Sequence, residues 1–319
     1  MKIYVTGGTG LVGSNIIKLA KENYNAEIIA SQYGPEPEWT VDYELDPLDI
    51  RDADNIKKSI AKYKPDVVIH SAILLDLVYL TNNREAAWEM VVGSSRAFAK
   101  ACREIGARLI FVSTDWVFDG TQPLVTEESP PLPVNYYGIM KAVTETMLGA
   151  MDDLNYAIGR LAGVYGLNYA NPSLTRQEQG LGFELVGYIL DRILHGQVAG
   201  IWTGPGANDV AQATLASDGA DLLLRLTQQD VTGIHHCFGS EAISRLDFGH
   251  AIAETFSADR GLITSVPTDP EVLMRHAGIR IPFRIRASVE KTAQALGRTP
   301  LNVHDGLAAF KREWEAFQN

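Results

Sequence analysis

Cysteine is scarce: the 319 residues include only Cys102 and Cys237. Two thiols cannot build a disulfide framework, and neither sits in a metal-ligand spacing, so no metal site is expected. A reducing compartment is the natural setting for such a chain. Long apolar runs are also missing, and none approaches the roughly 18 residues of a membrane span. Basic residues are outnumbered, 28 Lys and Arg against 39 Asp and Glu, a net charge of −11. That balance excludes nucleic-acid binding through a basic face. It leaves open a local phosphate site built from backbone amides. Internal repeats and low-complexity tracts are absent. A glycine-rich turn from residue 7 leaves no space before it for a signal peptide. The expectation is a cytoplasmic protein with a small-molecule partner, no nucleic acid and no membrane.

That turn is the strongest local signal. Apolar Ile3 to Val5 reads as a strand and runs into Thr6-Gly7-Gly8-Thr9-Gly10-Leu11-Val12-Gly13. Apolar residues then recur at helical spacing at Leu11, Ile16, Leu19 and Ala20. Strand, glycine turn and helix in that order form a dinucleotide-binding fingerprint. The glycines permit a tight turn, and the helix N-terminus receives a pyrophosphate. Gly7, Gly10, Leu11, Val12 and Gly13 are therefore assigned to a cofactor.

Further strands are expected at 26–30, 66–70, 108–112 and 156–158. Helices are expected at 53–62, 84–105 and 135–150. This alternation, with continuous apolar strands, predicts an α/β fold: a Rossmann-type doubly wound parallel sheet covered on both faces. After residue 160 the rhythm breaks. Segment 165–181 is polar, with no clear period. Helices are expected at 182–195, 218–227 and 245–256, and a strand at 234–238. The chain divides into a dinucleotide-binding part, 1–160, and a smaller C-terminal α/β substrate-binding part, 161–319, interleaved with the sheet.

Two clusters beyond the strand at 108–112 carry chemistry: Ser113-Thr114-Asp115-Trp116-Val117-Phe118-Asp119-Gly120 and Asn135-Tyr136-Tyr137-Gly138-Ile139-Met140-Lys141. Ligands of open α/β sheets bind beyond the carboxyl ends of strands, where Thr114 stands. Tyr137 and Lys141 share a helix face, whereas Tyr136 points elsewhere. A phenol titrates near pH 10, and an adjacent ammonium favours its ionised form. With the Thr114 hydroxyl holding a carbonyl or alcohol oxygen, this set suits metal-free carbonyl reduction or alcohol oxidation with a nicotinamide. His70 reads as a hydrogen-bonded structural histidine and His235-His236-Cys237 as a packed strand. Asp115 reads equally as an orienting residue for substrate or for the Tyr137 helix.

TGGTGLVG, STDWVFDG and YYGIMK together resemble the extended short-chain dehydrogenase/reductases. STDWVFDG with GRLAGVYG at 159–166 is most similar to the dTDP-4-dehydrorhamnose reductase branch. The resemblance implies reduction of a keto group on a nucleotide-linked deoxysugar by NAD(P)H, with Thr114, Tyr137 and Lys141 as catalytic trio. It implies that Lys141 also holds the nicotinamide ribose, that Asp49 and Ile50 contact adenine, and that Ser71 and Ala72 line the cofactor cleft. Two departures stand out. Val91 takes the place of an Asn in the long helix, so a backbone-to-water link is expected to be missing. In Asn208-Asp209-Val210-Ala211-Gln212-Ala213-Thr214 only the Thr of the branch's substrate motif survives.

The end of the second strand, Ser31-Gln32-Tyr33, offers no carboxylate for an NAD ribose. No nearby Arg or Lys for a 2′-phosphate is legible there either. The balance leans to NADP(H) over NAD(H), with Ser31 beside the ribose. Two other functions stay open. One is an epimerase or dehydratase with tightly held NAD. The other is a dinucleotide-binding regulatory subunit without catalysis, which the resemblance allows. A homodimer is one oligomeric state the sequence permits.

Overall fold

The computed structural model describes residues 1–34, 41–74, 76–170, 185–204, 208–228 and 231–318. The expected polar stretch at 171–181, the first turn of the helix expected at 182–195, and Pro205-Gly206 lie outside them.

The first 161 residues hold β1 (Lys2–Thr6), α1 (Leu11–Tyr24), β2 (Glu27–Gln32), β3 (Glu44–Pro47), α2 (Ala53–Tyr63), β4 (Val67–His70), α3 (Leu77–Asn82), α4 (Arg84–Trp88), α5 (Ser94–Ile105), β5 (Arg108–Thr114), α6 (Tyr136–Gly149) and β6 (Tyr156–Leu161). The rest holds α7 (Leu185–Leu194), β7 (Ala199–Thr203), β8 (Val210–Ala211), α8 (Ala216–Arg225), β9 (Gly233–His236), β10 (Ile243–Ser244), α9 (Arg245–Thr255), β11 (Ile263–Pro267), α10 (Pro270–Ala277), α11 (Glu290–Leu296) and α12 (Val303–Gln318). Seven strands form one sheet in the order β3-β2-β1-β4-β5-β6-β9. Every pairing in it is parallel. The seventh strand, β9, comes from beyond residue 160 and extends the sheet past β6.

Alternation along the strands feeds two cores. Ile3, Val5, Ile110 and Val112 pack with Ile16 and Ile17 of α1 and Leu222 and Leu223 of α8. Tyr4, Leu109 and Phe111 face the other way, against Ile56 and Ile60 of α2 and Phe98 and Cys102 of α5. A third cluster, around Ile189, Ile201, Phe248, Ile252 and Leu307, holds α7, α9 and α12 on the parallel pair β7–β11. Covered on both faces, the sheet leaves its carboxyl edge as the open place for a ligand.

Among several departures from the sequence reading, two bear on the site. β3 is an extra edge strand, and its Asp46 is buried, accepting a hydrogen bond of 2.5 Å from the Tyr4 hydroxyl. The single helix expected at 84–105 is instead α4 and α5 joined by a π-helical turn, Glu89–Gly93. Val91 lies in that turn. The Ser94 hydroxyl donates to the Met90 carbonyl at 2.5 Å, and the Ser95 hydroxyl to the Val91 carbonyl at 2.6 Å. The wide turn thus satisfies carbonyls that it would otherwise leave free.

Candidate active site

The glycine turn is held by its own backbone: Gly10 N–H donates to the Gly7 carbonyl at 2.9 Å. A Cβ on Gly13 would lie 2.1 Å from that carbonyl oxygen, so helix α1 meets β1 here only with glycine. Beyond β4, the Ser71 and Ala72 N–H groups donate to Thr6 Oγ1 at 3.0 and 2.9 Å, and Ser71 Oγ donates to the Thr6 carbonyl at 2.6 Å. Thr6 thereby locks the β4 exit against the glycine turn. His70 completes this unit, with Nδ1 2.8 Å from Thr6 Oγ1 and Nε2 3.3 Å from Ser94 Oγ. Burial pushes its pKa down to about 3, which makes it a neutral structural group.

Next to this unit, a cavity of about 250 Å³ opens at the carboxyl ends of β1, β4 and β5. Val12, Ser71, Thr114, Tyr137 and Lys141 all line it. Thr114 ends β5, and its hydroxyl donates to Asp115 Oδ1 at 3.1 Å and accepts from Trp116 N–H at 3.2 Å. Tyr137 meets the Trp116 ring edge-on, with centroids 6.1 Å apart. Asn135 caps α6 by accepting from Gly138 N–H at 2.9 Å. A Cβ on Gly138 would lie 2.2 Å from the Trp116 carbonyl oxygen, and this close approach sets Tyr137 beside the Thr114 turn. Tyr136 donates to the Arg84 carbonyl at 3.0 Å, away from the cavity, as its helical position requires.

Lys141 is buried. Its Nζ donates to the Val112 carbonyl at 2.7 Å and lies 4.6 Å from the Phe111 ring centroid and 5.9 Å from that of Tyr137. Burial pulls the ammonium pKa down to about 7, against the opposing pull of Glu145 one turn on. Glu145 belongs to a buried chain of polar groups. It accepts from Ser113 Oγ at 2.6 Å and from Arg160 at 2.9 and 2.6 Å. Arg160 Nη1 lies 3.1 Å from His236 Nε2, and His236 N–H donates to Glu127 at 3.0 Å. His236 is thus a packed strand residue. Asp115 is also largely removed from water, and burial pushes its carboxyl up to about 7.

The remaining expected residues lie along the same sheet edge but off the cavity. Gly7, Gly10, Leu11 and Gly13 form the turn, and Ala72 backs it. Ser31 is buried at the end of β2. Ile50 packs against the α2–α5 core. Asp49 accepts from Arg51 at 2.6 to 3.0 Å, and this pairing holds its carboxyl below the usual range. One expectation is corrected here. A cation does reach the β2 end: Arg51 Nη2 donates to the Tyr33 hydroxyl at 2.8 Å. The pairing of β3 with β2 brings it there, through a contact the sequence does not display.

The C-terminal half supplies the cavity's other walls: Leu161 to Tyr165, Asn208, Val210 to Ala213, Arg245, Phe248 and Ile285. Segment 208–214, altered from the resembled motif, is therefore a cavity wall. Within it, Asp209 is held by Arg284 at 2.5 and 2.8 Å, and Gln212 bonds Gly239 and both backbone groups of Ala287. Arg245 was not legible as a site residue, because a lone arginine opening a helix reads as a solvated charge. Among the described residues, no cluster of His, Cys, Asp and Glu could hold a metal ion, and no helix is long and apolar enough to cross a membrane.

Comparison with known proteins bears on the family and the fold. A probable low-salt glycan biosynthesis reductase of Haloferax volcanii is 28% identical over 326 residues, covering 100% of both chains. The beta subunit of methionine adenosyltransferase 2 from Xenopus tropicalis is 28% identical over 278 residues, 83% of this chain and 75% of its own. Among solved structures, the dTDP-4-dehydrorhamnose reductase of Bacillus anthracis in complex with NADP superposes with a TM-score of 0.76. It is 20% identical and covers 98% of this chain and 99% of its own. The family profile of the RmlD substrate binding domain matches residues 1–276. With a doubly wound parallel sheet and a glycine turn beside its cavity, the chain belongs to this RmlD family, of the extended short-chain dehydrogenase/reductase type.

Proposed function

We propose that the protein is an NAD(P)H-dependent reductase of a keto group on a nucleotide-linked deoxysugar. The supporting observation is the convergence of Thr114, Tyr137 and Lys141 on one cavity whose next wall is Val12 and Ser71, beside the glycine turn. The close approach at Gly13 leaves backbone suited to a pyrophosphate, so a dinucleotide fits these residues. When bound, a reduced nicotinamide supplies the hydride. The Thr114 hydroxyl holds the keto oxygen, and the Tyr137 hydroxyl delivers the proton to it. Lys141, when charged, stabilises the phenolate left on Tyr137 and offers N–H groups to a cofactor hydroxyl. The side walls from 161–165 and 208–213 enclose the sugar. NADP(H) is the preferred cofactor in this reading: Arg51, an exposed cation at the β2 end, is available to a 2′-phosphate by exchanging its Asp49 partner.

The test follows cofactor absorbance with keto-sugar nucleotides, using NADPH and NADH in parallel. Turnover is expected, favouring NADPH, with kcat reduced about 10²- to 10⁴-fold in Tyr137→Phe. Full activity of that variant would remove the proton role. A second reading, a regulatory subunit, draws on the similarity to the beta subunit of methionine adenosyltransferase 2. Cofactor binding without turnover of any keto-sugar would favour it.

A further inference from the structure

Arg245 is the one cation on the C-terminal wall of the described cavity lining, and the proposed chemistry leaves it without a task. It opens α9, where its N–H donates to the Asp209 carbonyl at 2.7 Å, and its side chain turns into the cavity. The guanidinium is poorly matched there. Its contact to Asn208 Oδ1 is long, 3.3 Å, and Nε is buried with no hydrogen-bond partner among the described residues. The nearby carboxyls Asp115 and Asp209 favour its charge, but each also has another hydrogen-bond partner. Asp209 is already held by Arg284 through two contacts. Asp115 accepts from Thr114, and its burial leaves it only partly ionised near neutral pH. Burial lowers the Arg245 pKa to about 10, so the side chain remains charged at neutral pH. Lys141, Arg245 and Asp115 thus line one cavity in a chain whose overall charge is −11.

A guanidinium whose Nε is shut off from water without a hydrogen-bond partner is costly unless a ligand supplies an oxygen, and its Nε–Nη edge matches a carboxylate or phosphate in two parallel bonds. We propose that Arg245 is the substrate's anion receptor, taking two anionic oxygens of a phosphate or a carboxylate that the substrate carries. This deepens the reductase reading and rests on it for the word substrate. Anion binding itself does not depend on turnover. A neutral keto-sugar with no such group would give the Nε–Nη edge no anionic partner.

The test is calorimetric titration of the full chain, saturated with NADPH, using UDP or dTDP for the phosphate source, glucuronate for the carboxylate source, and methyl glucoside as neutral control. In Arg245→Gln the affinity for one anionic probe should fall about 10- to 100-fold, with the neutral control unmoved. Arg245→Lys, which keeps the charge and loses the two-pronged edge, should fall in between. Loss for the nucleoside diphosphate assigns the site to phosphate, and loss for glucuronate assigns it to a carboxylate on the sugar. Unchanged affinity in Arg245→Gln, or failure of the wild type to bind either anion, overturns the proposal. A merely structural arginine would instead show a lower melting temperature in both variants with anion affinity intact, which also overturns it. Failure to bind NADPH in the first titration would count against the reductase reading alone, since the anion titrations can be repeated without cofactor.

Discussion

Replacing Lys141 with methionine in the ligand-free protein should change the sign of its effect with pH. In the folded chain the ammonium holds its proton more weakly, with a pKa near 7 against 10.5 for the free side chain. Between those values the unfolded chain binds more protons, so the native lysine stabilises less as pH falls. Below pH 7 the full penalty is present. At about 1.36 kcal/mol per pKa unit the full shift corresponds to about 5 kcal/mol, and water penetration reduces this to an expected 2 to 5 kcal/mol. Methionine removes that penalty but strips the Val112 carbonyl of its 2.7 Å donor, a loss of about 1 to 3 kcal/mol at every pH. Lys141→Met should therefore be as stable as wild type or more so at pH 6, and less stable by about 1 to 3 kcal/mol near pH 10. Urea unfolding of both proteins across this range, with unchanged m-values, measures it. A stability difference that stays flat from pH 6 to 10 would refute the reasoning, because it would mean that the ammonium is not desolvated in the fold.

Other outcomes follow from the same geometry. Gly138→Ala should lose about 1 to 3 kcal/mol of stability and most keto-sugar turnover, since the new methyl meets the Trp116 carbonyl oxygen at 2.2 Å and pushes Tyr137 from the Thr114 turn. Melting and steady-state kinetics check it, and an active variant of native stability would contradict the close approach. Glu145→Gln should cost about 3 to 5 kcal/mol, because it leaves Arg160 charged and buried without its partner. Denaturant unfolding measures this, and replacing Arg160 with methionine in the same chain should recover much of the loss.

Much of this was legible in the amino-acid order. The glycine turn announces β1 and α1 because an apolar strand, closely spaced glycines and a helical apolar period follow one another directly. Tyr137 and Lys141 are linked by helical spacing alone. What the sequence hides depends on partners distant in the chain. β3 is four residues, Glu44–Pro47, with a proline and two acids, and its strand character comes from pairing with β2. That same pairing delivers Arg51 to Tyr33. The π turn at Glu89–Gly93 leaves no compositional mark, because its helical residues are ordinary and the extra width is held by Ser94 and Ser95. Arg245 opens a helix like any solvated arginine, and only the folding of α9 over the 208–213 segment turns it inward.

The seventh strand also bears on how the chain is made. Synthesis delivers β1 through β6 before β9, so a nascent chain that has passed Leu161 has its sheet edge at β6 unpaired until His236 emerges. Until then Arg160 and Glu145 lack His236 and Glu127's full surroundings, and the open edge is a template for strands of other chains. The seven-stranded sheet is therefore completed late. Its exposure to aggregation ends with the arrival of β9.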